Sequence, residues 1–219
     1  MIINKAQLKE NYDIVIIGAG IAGLALSQLL KLEEKNILLV ESGDFKFNKE
    51  INQYSYAKVK NLGNWPSENY ASYHSRVRMF GGNANVWGGW CMELDEHDYN
   101  QNITWNLLKA DLKIHYKKAY ELLNIIPHNI DPEELNMKSI KPYSINIQRG
   151  NYIKHSREYL EKAENIDVLI KTKLINMNLD KNKINSIILE NLDGITNEVK
   201  LKKLILAAGG IETTRMLMN

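Results

Sequence analysis

The sequence predicts an α/β fold in which a mainly parallel β-sheet is flanked by helices. Three observations carry that expectation. Short continuous apolar runs, Ile14 to Ile17, Ile37 to Val40 and Leu204 to Ala207, have the length and composition of strands buried on both faces. Between the first two lies a glycine-punctuated turn that opens into a segment of helical period. From Ile166 to Gly194 the chain reads as further strands, with turn chemistry at Asp180 to Asn182 and at Asp193-Gly194.

In chain order, the first strand runs straight into Gly18, Gly20 and Gly23, spaced G-x-G-x-x-G. The residues that follow place Ile21, Leu24, Ala25, Leu29 and Leu32 on one helical face, and the second strand ends at Glu41. Each part has a physical task. Gly18 permits the tight turn out of the strand, Gly20 lets the backbone approach a pyrophosphate, and Gly23 lets the helix pack closely on the sheet. Free N–H groups and the positive end of the helix dipole then face the phosphates. Glu41 sits at the tip of the second strand, where a carboxylate can accept hydrogen bonds from both ribose hydroxyls. Strand, fingerprint, helix, strand and acid within about 30 residues predict dinucleotide binding. The acid disfavours a 2′-phosphate and so argues against NADP, while FAD and NAD both stay open.

Composition bounds the rest. A chain of 219 residues with 44% hydrophobic content can bury one substantial core. Its 28 basic and 26 acidic side chains leave a formal charge of +2, and the lysines are scattered rather than gathered into a stripe, which argues against nucleic acid as a partner. The single cysteine, Cys91, excludes an internal disulfide or thiolate cluster and fits a reducing compartment. No metal site is expected. The polar start MIINKAQLKENYD lacks the apolar core of a secretory signal, and no apolar run approaches the roughly 20 residues that cross a bilayer. A soluble, cytoplasmic protein is the expectation.

A second glycine-rich stretch, RMFGGNANVWGGWCMELDEHDY, sets four glycines beside Trp87 and Trp90. Glycine doublets cost backbone entropy, so they belong where another backbone or a ligand comes very close, or in a tight turn packed under aromatics. The residues alone leave both readings open.

Together with the first glycine turn, this stretch resembles the glucose–methanol–choline family of FAD-dependent oxidoreductases, in which a glycine-rich loop runs beside the pyrophosphate and flavin. Two more blocks agree: ITWNLLKADLKIHYKKAYELLNI looks like the tryptophan-led segment and following helix of bacterial members, and LKKLILAAGGIETTRMLMN looks like the strand, glycine turn and helix that return to the FAD domain. The four blocks stand in the family's order. The resemblance implies a Rossmann-like FAD-binding domain, incomplete at the C-terminus. Residues 11–105 would form its first part, 106–155 a helical and loop connection toward a substrate domain, and 156–219 the return to the FAD-binding domain.

By the same resemblance, Gly81, Gly82 and Asn83 lie against the FAD phosphates, and Asn85, Trp87, Gly88 and Gly89 approach the flavin end, where asparagine offers both donors and acceptors. Trp87 and Trp90 shield the isoalloxazine or fill core, the core role suiting Trp90 at least as well. Leu174 would touch the adenine through its backbone, and Gly209 with Gly210 forms a turn close to the cofactor. Val86 stands where certain members carry the histidine that links FAD covalently, so FAD should be bound non-covalently.

Glu212 suits the first turn of the last helix, whose apolar face is Met216 and Leu217. That helix ends after about two turns, at Asn219, whereas the family's chain continues and its catalytic histidine comes from the later portion. His74, His97, His115, His128 and His155 sit in polar, lysine-rich or loop contexts, and no catalytic residue is assigned among them. The implied activity is oxidation of the CH–OH group of an alcohol or sugar-like polyol, with electrons passed to O₂ or another acceptor. A cofactor-binding module without activity of its own, awaiting a partner chain that supplies the missing part, is the alternative. An NAD-dependent dehydrogenase accounts for the first fingerprint but not for Gly81 to Gly89.

Overall fold

A computed structural model of the chain describes residues 2–3, 7–31, 33–57, 75–100, 103–126, 146–148 and 151–218. Leu32, His74 and His128 lie outside the described residues. The chain forms two compact units: Met1–Val86 with Ile153–Asn219, and Trp87–Tyr152.

The first unit is built on a six-stranded sheet in the order β5-β2-β1-β8-β7-β6. Strands β1 (Asn11–Ile17), β2 (Ile37–Val40), β5 (Ile166–Leu169) and β8 (Thr196–Leu206) are mutually parallel where they pair, with Ile14 opposite Ile37, Ile37 opposite Ile166 and Val15 opposite Leu204. Strands β6 (Thr172–Asp180) and β7 (Lys183–Asn191) join β8 as an antiparallel meander. The expected α/β fold with a mainly parallel sheet is the observed one. Every residue of β2 and β5 is buried, as unbroken apolar runs demand in a sheet covered on both faces. A core cluster joins the sheet from end to end through Tyr12, Val15, Leu38, Leu169, Leu174, Ile187 and Val199.

Helix α1 (Ile21–Leu30) buries Gly23, Leu24 and Ser27. Leu29, expected on the buried face, is 46% exposed: the buried positions of the helix are Gly23, Leu24 and Ser27, whose hydroxyl donates to the Gly23 carbonyl at 2.8 Å. Farther along α1, Gln28 donates to the Ser156 hydroxyl of α6 (Tyr152–Glu161) at 2.8 Å. Strand β8 is longer than the apolar run Leu204 to Ala207 suggested, and that run is half-buried rather than fully buried. Helix α7 (Gly210–Met218) follows it; Met216 packs against the core cluster, but Leu217 is exposed, so the expected two-residue apolar face reduces to one. A short helix α2 (Lys49–Gln53) is capped by Asn48, whose side chain accepts from the Glu50 and Ile51 amides.

The second unit holds the two-stranded pair β3 (Trp90–Cys91) and β4 (Asn146–Ile147), and helices α3 (Glu96–Asn100), α4 (Ile103–Lys113) and α5 (Tyr116–Leu123). The segment read as one helix is broken at Ile114-His115, so His115 is the residue that precedes α5 rather than one within a helix. Asn124 ends α5 in the left-handed conformation at φ 52°. Inside this unit Tyr99 and Tyr116 pair through their hydroxyls at 3.0 Å, and Tyr120 donates to Glu93 at 2.7 Å. Among the described residues no helix is long and apolar enough to cross a membrane.

Candidate functional site

Three glycine turns meet beyond the C-terminal ends of β1, β2 and β8, where open α/β sheets place their ligands. The first follows β1. Gly18 takes φ +102°, and a Cβ there would stand 2.7 Å from the carbonyl oxygen of Ala207, so the backbone that leaves β8 lies directly against it. A Cβ on Gly23 would fall 1.9 Å from the Gly18 carbonyl oxygen, which fixes the close approach of α1 to the turn. Both glycines are therefore required by the chain's own packing. Gly20 is different: its φ of −75° suits any residue, and a Cβ there would meet nothing within 4 Å. No side chain caps α1 at this end. The first-turn N–H groups thus face outward beside a residue whose smallness the protein itself does not use, which is the geometry a pyrophosphate needs.

The second turn reaches the first through the backbone. Gly81 donates its N–H to the Ala19 carbonyl at 2.8 Å, and a Cβ on Gly82, at φ +52°, would lie 3.3 Å from the Gly20 Cα. The approach is guided from β2: Phe80 donates to the Asp44 carbonyl at 3.0 Å, and Gly43 leaves room for the Arg78–Met79 backbone to pass. The third turn, Gly209 at φ +81°, follows β8, whose Ala207 N–H bonds to Ile17 at 2.8 Å. A Cβ on Gly209 would also meet nothing within 4 Å.

Glu41 is 6% exposed and turned inward. Its Oε2 accepts the Ala19 N–H at 2.9 Å and its Oε1 the Gly43 N–H at 2.8 Å, so one carboxylate braces the first glycine turn against the loop after β2. Burial pushes its pKa up, and the two amides and nearby Arg78 offset that only in part. Asn83 and Asn85 have internal partners as well. Asn83 accepts from the Val77 amide at 2.9 Å and donates to the Ser75 carbonyl, while Asn85 donates to the carbonyls of Phe80 and Gly82 at 3.0 and 2.9 Å. They hold the loop in shape on the short 3₁₀ turn Gly82–Asn85. Val86, which ends that turn, is 66% exposed.

Leu174 lies in β6 with its side chain in the core cluster. Trp87, Gly88 and Gly89 belong to the second unit. There Gly89, at φ +74°, accepts the Gln148 amide at 2.7 Å, Trp87 is half-buried, and Trp90 is 69% exposed, which removes the core role considered for it within this unit. Burial raises the Cys91 thiol pKa, which suits a packing residue rather than a nucleophile. His97, His115 and His155 are exposed.

Sequence reasoning missed Arg76 and Arg78, which stand just before Gly81 and close on Glu212 of α7. The signal was the pair of arginines at i, i+2 in RVRMFGG, readable only with knowledge of the acid they meet.

Sheet order, glycine turns and helix N-terminus define a Rossmann-like fold. No protein-family model matches the chain, and no curated protein sequence matches it. Solved structures do. Pyridoxine 4-oxidase from Mesorbium loti superposes with a TM-score of 0.61 at 15% identity, over 94% of this chain and 51% of its own. A fungal aryl-alcohol oxidase superposes with a TM-score of 0.58 at 16% identity, over 94% of this chain and 47% of its own. Both are glucose–methanol–choline oxidoreductases, and the chain shares their fold. It spans about half the length of these solved structures.

Proposed function

We propose that the chain is the FAD-binding portion of an oxidoreductase acting on CH–OH groups of alcohols or sugar-like polyols. The observation that carries the reading is the meeting of the Gly18–Gly23 and Gly81–Gly82 turns around Gly20, whose missing side chain no protein atom requires. The fit to a dinucleotide is good: outward N–H groups of α1 for the phosphates, and the Glu41 brace that sets the turn presenting them. FAD, when bound, supplies the acceptor for the hydride that leaves an alcohol carbon. The chain's own residues bind and orient it, and Val86 offers no nitrogen for a covalent link. The described histidines are exposed, which favours, as a second reading, a module that binds FAD without turnover of its own, its base coming from elsewhere in the protein or from a partner chain.

The test is an absorbance spectrum of the purified protein and titration with FAD, followed by anaerobic flavin reduction across a panel of alcohols and sugars with residues 1–219 and with the complete reading frame. A colourless protein that takes up no added FAD would sink both readings. Reduction by the longer protein only would separate the first from the second.

A further inference from the structure

Arg76 and Arg78 reach across the sequence to Glu212. Arg76 Nη1 lies 2.5 Å from Glu212 Oε1 and Arg78 Nη2 3.0 Å from Oε2, while Arg215 of α7 donates to Oε2 through Nε at 3.0 Å. The side chains of Arg76 and Arg78 are each 14% exposed and that of Glu212 is 12%. Further donors are engaged, Arg76 Nη2 on the Ser55 carbonyl and Arg78 Nε and Nη1 on the hydroxyls of Ser55 and Ser42 at 3.0 Å, while the buried Arg76 Nε has no hydrogen-bond partner. The Arg78 amide donates to Asn52 Oδ1 at 2.8 Å. Burial pushes the Glu212 carboxyl up, but Arg78, Arg215 and Arg76 pull it below the usual carboxylate range, so the acid is charged at neutral pH.

The position of this cluster is what gives it a purpose. Arg78 precedes Gly81 by three residues and Glu212 follows Gly209 by three. The ion pairs therefore tie the backbone entering one glycine turn to the helix leaving another; Gly81 bonds to Ala19, and Ala207–Ala208, just before Gly209, lie against Gly18. With their guanidinium groups spread over Glu212, Ser55 and Ser42, the arginines serve as struts rather than phosphate ligands.

We propose that Glu212 is a positioning residue for the dinucleotide site: by gripping Arg76 and Arg78 it locks the Gly81–Gly82 and Gly209–Gly210 turns into one rigid rim around the Gly18–Gly20 turn. The proposal rests on the FAD-binding reading above. It implies that Glu212 raises affinity by removing motion from the rim, without touching the cofactor.

The test combines FAD affinity, read by quenching of flavin fluorescence, with amide hydrogen exchange of the flavin-free protein. Glu212→Gln keeps the shape and loses the charge; it should weaken FAD binding by about tenfold. In the flavin-free protein, exchange should quicken at both residues 81–86 and residues 209–215 by more than it does in β2, which reports only the global loss of stability. Arg78→Met should match it, Arg78→Lys should fall between, and the double variant should bind no worse than the weaker single. Unchanged exchange at either turn, or exchange that quickens no more at the two turns than across the sheet, would overturn the proposal. If the unaltered protein bound no FAD, the functional reading would fall, and the exchange pattern alone would still decide whether Glu212 couples the two turns.

Discussion

The Gly81 amide donates to the Ala19 carbonyl at 2.8 Å, joining two glycine motifs that lie far apart in the chain. One backbone hydrogen bond thus sets the distance between a helix N-terminus and the loop that faces it. Because the donor and acceptor are main-chain atoms, no side-chain substitution removes the bond directly. What substitution can change is the room around it.

Gly20→Val and Gly23→Ala should therefore behave oppositely. A Cβ at Gly20 meets no protein atom within 4 Å and its backbone is ordinary, so the valine variant should fold with nearly unchanged stability and lose FAD binding. A Cβ at Gly23 falls 1.9 Å from a carbonyl oxygen, which should cost about 1–3 kcal/mol of fold stability by overpacking. Urea unfolding and FAD titration of both variants check this, and unchanged affinity in Gly20→Val would remove the first turn from the site.

Glu41→Gln is expected to weaken the turn itself. The carboxylate accepts an amide on each oxygen, Ala19 on one and Gly43 on the other. A glutamine can accept at only one of them and turns an NH₂ group toward the second amide, leaving a buried donor unsatisfied at a cost of about 1–3 kcal/mol. The melting temperature at neutral pH should drop, with FAD affinity falling alongside it. Unchanged stability would mean the carboxylate does not brace the turn.

How much of this was legible in the sequence follows from the range of each interaction. The unit from Ile14 to Glu41 could be read because strand, turn, helix and acid are local and each glycine has its own signature. That β8 lies beside β1 could not, since pairing of Val15 with Leu204 depends on everything between them. The Arg76–Glu212 contact was hidden for the same reason. The break between α4 and α5 carries no proline or glycine to announce it. Asn83 and Asn85 were placed beside the cofactor by resemblance alone; their side chains also bond the loop's own carbonyls and amides, which no local sequence pattern announces.

The flavin should come free on denaturation. Val86 is exposed at the end of the 3₁₀ turn and has no nucleophilic atom with which to bond a flavin methyl carbon. After loading with FAD and precipitation in acid, the yellow colour should remain in the supernatant. Colour carried down with the protein would show that another side chain forms the link.

Glu212 should leave a signature in the pH dependence of folding. Its carboxyl, pushed up by burial but pulled lower still by Arg78, Arg215 and Arg76, has a folded pKa below the value of about 4.3 that a glutamate shows when unfolded. A group depressed in this way stabilises the fold fully above its unfolded pKa and loses that contribution as pH falls through the folded one. Asp13, Glu33, Asp44 and Glu198 are lowered by their own partners and act in the same direction, whereas burial raises Glu41, which acts against them. The difference between the unaltered chain and Glu212→Gln isolates one carboxyl from that shared background. At neutral pH the variant, which leaves charged donors buried without their acceptor, should be less stable by about 2 kcal/mol. As pH falls through the depressed folded pKa, Glu212 becomes neutral like its replacement and the gap should close. Urea midpoints measured in parallel from neutral pH down into the acid range read this directly. A gap that held constant throughout would mean that the three arginines do not favour the charged acid, and that the effect of the substitution is one of shape.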